Sequence, residues 1–415
     1  MARTGGSRCG HDRNRARKSA PHGGKQGSYV TTRRNRPIGC GMTKRDNPLR
    51  RGWTTGTCAT AAAKAAYTGL LTGFFPDPVT VTLPKGQQPA FALAQTQLSA
   101  DAATAGIVKD AGDDPDVTHG ALVLATVRLL AAGSGVRFRA GPGVGTVTRP
   151  GLPVPPGEPA INPVPRRMMR AAIEEVAREA NATGDVEVEI SIPGGEALAQ
   201  RTLNARLGIL GGLSILGTTG IVVPYSCSAW IAAIHSGIDV ARALGLGHIA
   251  GATGATSEAA VQRIHALPEV ALIDMGDFVG GMLNYLRRHP VERLTIAGGV
   301  AKMTKLAQGL LDLHSRRGAV DLNFLAQRAR AAGATATLCD AILSANTAAQ
   351  VFAQAAADGI ALGDMVAATA WQTAAAVLDD ATAIEILLID RDQNLVGRAP
   401  FAAAHGTSPP RNRRR

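Results

Sequence analysis

Apolar and polar positions change rhythm several times along the chain, and each change predicts a different element. Threonines able to cap a helix open TGTCATAAAKAAYTGLLTG, a run of helix formers closed by glycine, which predicts a helix over 57–72. Alternation in VTVTLP at 79–84, FALAQTQL at 91–98 and VRFRA at 136–140 has the period of half-buried strands, and GALVLATVRLL reads as a further buried strand. Eight of the 23 prolines then crowd into 141–166, a stretch that suits neither a helix nor a central strand. Val144, Val147, Leu152, Val154 and Ile161 are interleaved through it, so a stiff, ordered loop is expected rather than a slack linker. A helix from RRMMRAAIEEVAREANATG and a strand at 186–193 follow.

The glycine-rich GILGGLSILGTTGIVVPYS, 208–226, marks a seam. Beyond it the pattern becomes strand, glycine turn and helix, repeated in GHIAGATGATSEAAVQRI, VALIDMGDFVGGMLNYL and RLTIAGGVAKMTKLAQGLL. Such units imply a mostly parallel sheet with covering helices, because parallel strands need crossover connections. Helices are expected across 321–379 and a late strand at 383–390. The fold class expected is therefore an α+β N-terminal domain over 48–226 followed by an α/β domain over 227–405.

Charge changes the picture only at the ends. The formal charge is +12, yet residues 1–51 hold 14 of the 44 Lys/Arg and only Asp12 and Asp46 of the 32 acids, which leaves the remaining residues neutral. A nucleic-acid partner is therefore not expected, and 1–47 and 406–415 read as a disordered basic extension and a disordered Arg-rich tail, with Met42 the better candidate start. With no long apolar run and no apolar leader, a membrane partner is not expected either. Cys9, Cys40, Cys58, Cys227 and Cys339 form no C-x-x-C pair, the usage of a reducing cytoplasm, and no structural metal site is expected.

Candidate chemistry concentrates in KDAGDDPDVTH, 109–119, where four aspartates, Lys109 and His119 sit in a loop that a hydrophobic core does not explain. Asp110, Asp113, Asp114 and Asp116 suit a hard cation in composition, and equally suit turns that cap local backbone. Glycine turns at 251–254, 276–281 and 298–299 fall where strands end and helices begin, the edge at which open α/β sheets bind ligands. With no G-x-x-x-x-G-K-[ST] present, close backbone approach to a nucleoside fits them better than a phosphate loop. Asp274 either accepts from ribose hydroxyls or caps the next helix. Arg149, Arg166, Arg167, Arg201 and Arg206 flank the proline loop and the seam, as a polycarboxylate ligand would require, with ordinary surface pairing as the alternative.

The segments RGWTTGTCATAAAKAA, VKDAGDDPDVTHGA, GVGTVTRPGLPVPPGEPAINPVPR and TLNARLGILGGLSILGTTGIVVPYS closely resemble the CbiD family, the cobalt-precorrin-5B C1-methyltransferases of anaerobic cobalamin biosynthesis. The resemblance covers roughly 48–400 and leaves both basic ends outside. It implies methyl transfer from S-adenosyl-L-methionine to C1 of cobalt-precorrin-5B, giving cobalt-precorrin-6A and S-adenosylhomocysteine, in the cytoplasm, and is compatible with a homo-oligomer. Cobalt arrives inside the tetrapyrrole substrate, so no protein metal is required. Within that pattern Asp110, Asp113, Asp114 and His119 are the expected catalytic set. Lys109, Arg149, Asn162, Arg166, Arg201, Arg206, Thr218 and Thr219 are expected to bind the substrate, and Gly251, Gly254, Asp274, Gly276, Gly298 and Gly299 the cofactor. Acidic groups repel a polyanionic macrocycle, so the aspartates are expected to face the cationic amine and sulfonium of the methyl donor, or to position a proton acceptor. Two other classes stay open: a non-catalytic corrinoid carrier, and a small-molecule kinase using the 141–151 loop with Mg²⁺ at the aspartates.

Overall fold

The computed structural model describes residues 48–378 and 381–404. The basic extension, the Arg-rich tail, Met42, Cys9 and Cys40 lie outside the described residues. The described chain is mixed α/β, with sheets of mixed orientation.

Helix α1 (Thr55–Thr72) starts at Thr54, whose side chain accepts the Thr57 N–H, and ends at Gly73 in the left-handed region. Its alanine-rich body is buried almost all round, so it forms the spine of the first core. Four strands follow: β1 (Gln95–Leu98), β2 (Ala102–Val108), β3 (Leu122–Leu129) and β4 (Val136–Ala140). After α2 (Pro163–Glu179) comes β5 (Val186–Ser191), which inserts between β3 and β4, giving the order β1-β2-β3-β5-β4. All pairs are antiparallel except β5 with β4. The buried face of this sheet, including Val123, Ala125, Val127, Val188 and Ile190, packs beneath α1 and α2. The expected strand at 79–84 shrinks to Val79–Thr80, and 91–98 divides into Ala90–Phe91 and β1.

The proline loop is ordered, as its apolar residues require. Gly143–Val144 pairs with Gly212–Leu213, and Thr146–Val147 with Ile209–Leu210, so the loop and the glycine seam form one layer. Val147, Val154, Ala160 and Ile209 close a small core of their own.

Beyond the seam run α3 (Cys227–Ala243), β6 (His248–Ala252), α4 (Ala255–His265), β7 (Leu272–Asp274), α5 (Val279–Leu286), β8 (Arg293–Gly299) and α6 (Val300–Ala307). Helices α7 (Leu322–Ala331), α8 (Ala336–Leu343), α9 (Ala348–Ala357) and α10 (Leu362–Ala375) precede β9 (Ala383–Ile389) and β10 (Leu395–Ala403). The sheet order is β7-β6-β8-β9-β10. The first four strands run parallel, and β10 returns antiparallel along the edge. In β10 the register shifts beside Glu385, so Pro400 and Phe401 stand opposite that one residue. The connection from β6 leads towards β7 and that from β8 towards β9, which makes the gap between β6 and β8 a topological switch point.

Candidate functional site

Three segments knit together at the start of α1. Trp53 N–H donates to the Asp110 carbonyl at 2.7 Å, Thr54 N–H to Gly220 at 3.0 Å, and Gly56 N–H to Leu216 at 3.0 Å. The 109–119 loop and the 216–225 end of the seam are thereby fixed against one helix terminus, where Gly56 and Thr57 N–H already have acceptors.

The aspartates are structural anchors. Asp110 holds the Arg50 guanidinium through both oxygens and accepts the Gly112 N–H, and these bonds pull its carboxyl down to about 2. Asp113 accepts the Arg50 N–H at 2.6 Å. Asp114 accepts the Tyr225 N–H at 2.8 Å, holding that residue in the left-handed region at φ 56°. Burial pushes the Asp116 acid up, but Lys109 and Thr118 outweigh it and keep the group below its ordinary range. Each of these four carboxylates is engaged by the protein itself, which favours the capping reading over a cation site. No group of three or more His, Cys, Asp or Glu at metal-binding spacing occurs among the described residues.

Lys109 is 1 % exposed, its ammonium closed in by Asp116 and by the Thr118 hydroxyl at 2.6 Å, so it is no open substrate ligand. His119 is half exposed, and its Nδ1 accepts the Ala111 N–H at 3.1 Å. That bond favours the proton of the neutral ring on Nε2, which is then a donor.

The expected arginine ring comes apart. Arg166 bonds Glu158 and the Ile161 and Pro159 carbonyls while lying over Phe138. Arg206 grips both oxygens of Glu258, at 2.9 and 2.7 Å, and the Leu272 carbonyl, joining the seam to α4 and β7. Arg149 braces it by bonding the Arg206 carbonyl at 2.9 Å. These three guanidiniums serve the fold. Arg201 and Thr218 are exposed, Thr219 closes a turn with Ile221, and Asn162 donates its backbone N–H to Ile215 at the start of α2.

Sequence reasoning missed the exposed apolar side chains of the seam and its flanks. Leu203, Leu210, Leu216, Val223, Tyr225 and, in α3, Trp230 are all exposed, an unusual concentration in one stretch. Trp230 lies across Gly276 and donates Nε1–H to the Asp274 carbonyl at 3.1 Å, so this face reaches the sheet edge at the end of β7. The Asp274 carboxyl is raised, first by burial and then by Glu258.

A cavity of about 860 Å³ opens at the switch point, within the range of about 300–1,000 Å³ usual for small-molecule sites. Gly254 and Gly299, the first residues of the turns into α4 and α6, line it, with Lys302 beside them. Lys302 bonds the Thr253 carbonyl at 2.9 Å and Asp277 at 3.1 Å. The other expected cofactor residues do not line it. A side chain at Gly251 would meet Met282 and Met275, and one at Gly298 would meet Met303 and Thr253, so those glycines permit core packing. Asp274 and Gly276 face Trp230 instead. The opposite wall comes from α9, Ile360 and the β9–β10 turn, none of which the sequence reading named.

A cavity at the switch point of an α/β sheet, in a chain that also exposes an apolar seam, defines a ligand-binding α/β protein of the enzyme type. The particular family follows from comparison: the chain belongs to the CbiD family, whose model matches residues 42–224, with the model described as CbiD, C-terminal domain, matching 312–400. It is 64 % identical over 370 residues to the cobalt-precorrin-5B C(1)-methyltransferase of Bradyrhizobium sp. (strain BTAi1 / ATCC BAA-1182), covering 89 % of this chain and 98 % of the relative. The protein of the same name from Agrobacterium fabrum is 62 % identical over 371 residues, covering 88 % and 98 %. A crystal structure of a cobalamin biosynthesis protein (cbiD) from Archaeoglobus fulgidus matches at 29 % identity over 61 % of this chain and 77 % of that one, with a TM-score of 0.35.

Proposed function

We propose that this chain is a methyltransferase acting on C1 of cobalt-precorrin-5B, with S-adenosyl-L-methionine as the methyl donor. The observation that carries the reading is its identity with relatives of that name across nearly their whole length. The alternatives draw less support. A carrier has no use for a cavity beside its platform, and a kinase would need the aspartates free for Mg²⁺ when they are bonded to Arg50, Tyr225, Lys109 and Thr118.

In this proposal residues 48–226 present the macrocycle and 227–405 hold the donor. The apolar seam suits the flat body of a tetrapyrrole, and the exposed Arg201, Thr218 and His119 are the groups that would meet its carboxylate arms. Lys109, Arg149, Arg166 and Arg206 position those elements instead of touching the ligand. The cavity fits the donor in volume and in its mixed lining, with Gly254, Gly299 and Lys302 on the polar side. When bound, the donor supplies a methyl group already activated on a sulfonium. The chain then has to align that group with a ring carbon and exclude water, work for which about 7–11 kcal/mol is available from orientation alone.

Cavity and the helix that follows the seam are linked through named contacts: Lys302 lines the cavity and pairs with Asp277, and Gly276, next to it in sequence, carries Trp230 of α3. The reading asks for no nucleic acid and no protein metal, and it places the chain in the cytoplasm. No helix among the described residues is long and apolar enough to cross a membrane.

Anaerobic incubation of the full chain with cobalt-precorrin-5B and methyl-labelled adenosylmethionine, followed by mass analysis, tests the proposal. Gain of one labelled methyl group is expected. Tight tetrapyrrole binding without transfer would instead favour a carrier.

A further inference from the structure

The cavity at the switch point has two unlike walls, and their difference bears on what lies against each. Helix α9 buries Ala348, Val351, Phe352 and Ala355 in the core and turns Ala349, Ala353 and Ala356 outward. Those three alanines stand at i, i+4 and i+7, on one helical face, and all line the cavity. Within the helix the polar side chains are Gln350 and Gln354, neither of which lines the cavity, so beyond the capping Thr347 its cavity face is apolar by position and not by general composition. Phe352, Ile360 and Leu395 extend this apolar surface, and Asp390 and Arg391 of the β9–β10 turn line the cavity beyond it.

The facing wall is polar. The first turns of α4 and α6 enter it with no side-chain cap at Gly254 or Gly299, and space is open where a Cβ at either glycine would point. Lys302 stands on the same side, its charge shared with Asp277. The two cations of the lining, Lys302 and Arg391, are offset by Asp277 and Asp390, so a net triple negative charge would find little compensation, whereas a zwitterionic amino-acid group matches a lysine–aspartate pair and uncapped backbone N–H groups.

We propose that the alanine face of α9, with Phe352 and Leu395, is the recognition wall for a purine base, and that the ligand lies with its amino-acid end toward Lys302 and the starts of α4 and α6. The ligand class is a purine nucleoside bearing an amino-acid tail. This rests on the reading of the chain as an adenosylmethionine-dependent methyltransferase and adds to it the wall, the direction and the residues that select the base. The alanines set selectivity by their size: any larger side chain at 349 or 353 occupies the space of the ring.

The test is equilibrium binding of S-adenosylhomocysteine, adenosine and ATP to the full chain, with methyl transfer measured separately. The unaltered chain is expected to prefer S-adenosylhomocysteine over adenosine, and adenosine over ATP. Ala353→Trp and Ala349→Trp, both on exposed positions, are expected to weaken S-adenosylhomocysteine and adenosine at least tenfold without shifting the thermal midpoint. Lys302→Met is expected to weaken S-adenosylhomocysteine and leave adenosine unchanged. If both tryptophan variants bind S-adenosylhomocysteine like the unaltered chain while methyl transfer proceeds, the recognition wall is wrong and the methyltransferase reading stands. If the variants lose binding as described but the unaltered chain transfers no methyl group, the wall stands and the reaction is wrong. Tighter binding of ATP, or no binding of any of the three, overturns the proposal.

Discussion

Lys109 shows how far a single residue's setting can depart from what its type suggests. Its ammonium is enclosed while its partner Asp116 keeps a quarter of its side chain in solvent. The two ends of this pair are therefore not equivalent. Asp116→Asn strands a buried cation, which is expected to cost about 3–5 kcal/mol. Lys109→Met leaves only a carboxylate that water can reach, and its cost should be clearly smaller. Urea midpoints of the two variants check this, and equal losses would refute the asymmetry. The sequence made the loop legible, because four aspartates with glycine and proline do not enter a core. It did not make the partners legible. Arg50 and Tyr225 lie 60 and 111 positions from the aspartates they bond, a separation that no local pattern reports.

At the scale of elements, the sheet β7-β6-β8-β9-β10 carries a polar cluster through its interior. Glu385, 0 % exposed, accepts from Thr295 at 2.9 Å, meets His265 Nε2 at 2.5 Å and holds Arg398 through one oxygen. His248 joins through Thr295 at 2.9 Å. Burial first, then the neighbouring His265, lowers its pKa from 6.5 to about 4, against the pull of Glu385 and with a small push from Arg293. A depressed histidine means that the unfolded chain binds the proton more readily. The contribution to stability is complete above pH 6.5 and erodes as pH falls towards 4. His248→Gln is expected to flatten the dependence of the urea midpoint on pH across that window. An unchanged slope would show that His248 does not titrate there.

Elements with a strong period were legible, α1 and the strand–turn–helix units among them. The strand at 79–84 was over-read because alternation continues past the two residues that find a partner. Strand β10 was missed because LVGRAPFAA holds a glycine and a proline and alternates poorly. Its pairing is earned by contact, since a side chain at Gly363 of α10 would overlap the Val396 carbonyl. Helix α3 was missed too, opening as it does on an exposed, uncapped turn.

For the whole molecule, the decisive contact is Arg206. It stands just before the seam, yet it grips the first turn of α4, whose start lines the cavity, and the first residue of β7. Arg206→Ala removes charge-assisted bonds worth about 1.5–3 kcal/mol each and lets the seam shift against the cavity. Misplacement by about 1 Å is enough for roughly a hundredfold loss of rate. Turnover in methyl transfer is therefore expected to fall by about that factor while S-adenosylhomocysteine binding changes little. Parallel loss of both would show that Arg206 merely supports α4. The glycine turns were legible as a ligand edge, but which side of the switch point held the cavity was not. That is decided by α9 and the β9–β10 turn, which arrive from 50 to 140 residues further along the chain.

Strand β10 also governs what this sheet does in a crowded solution. It occupies the outer edge, where an unpaired strand invites another chain to add on by backbone hydrogen bonds. Pro400 has no N–H to offer, and the doubled residues opposite Glu385 break the spacing of the ladder at that point. A second chain approaching this edge meets a template interrupted midway, so growth of the sheet from one copy into the next is disfavoured by the doubled residues and the missing donor together.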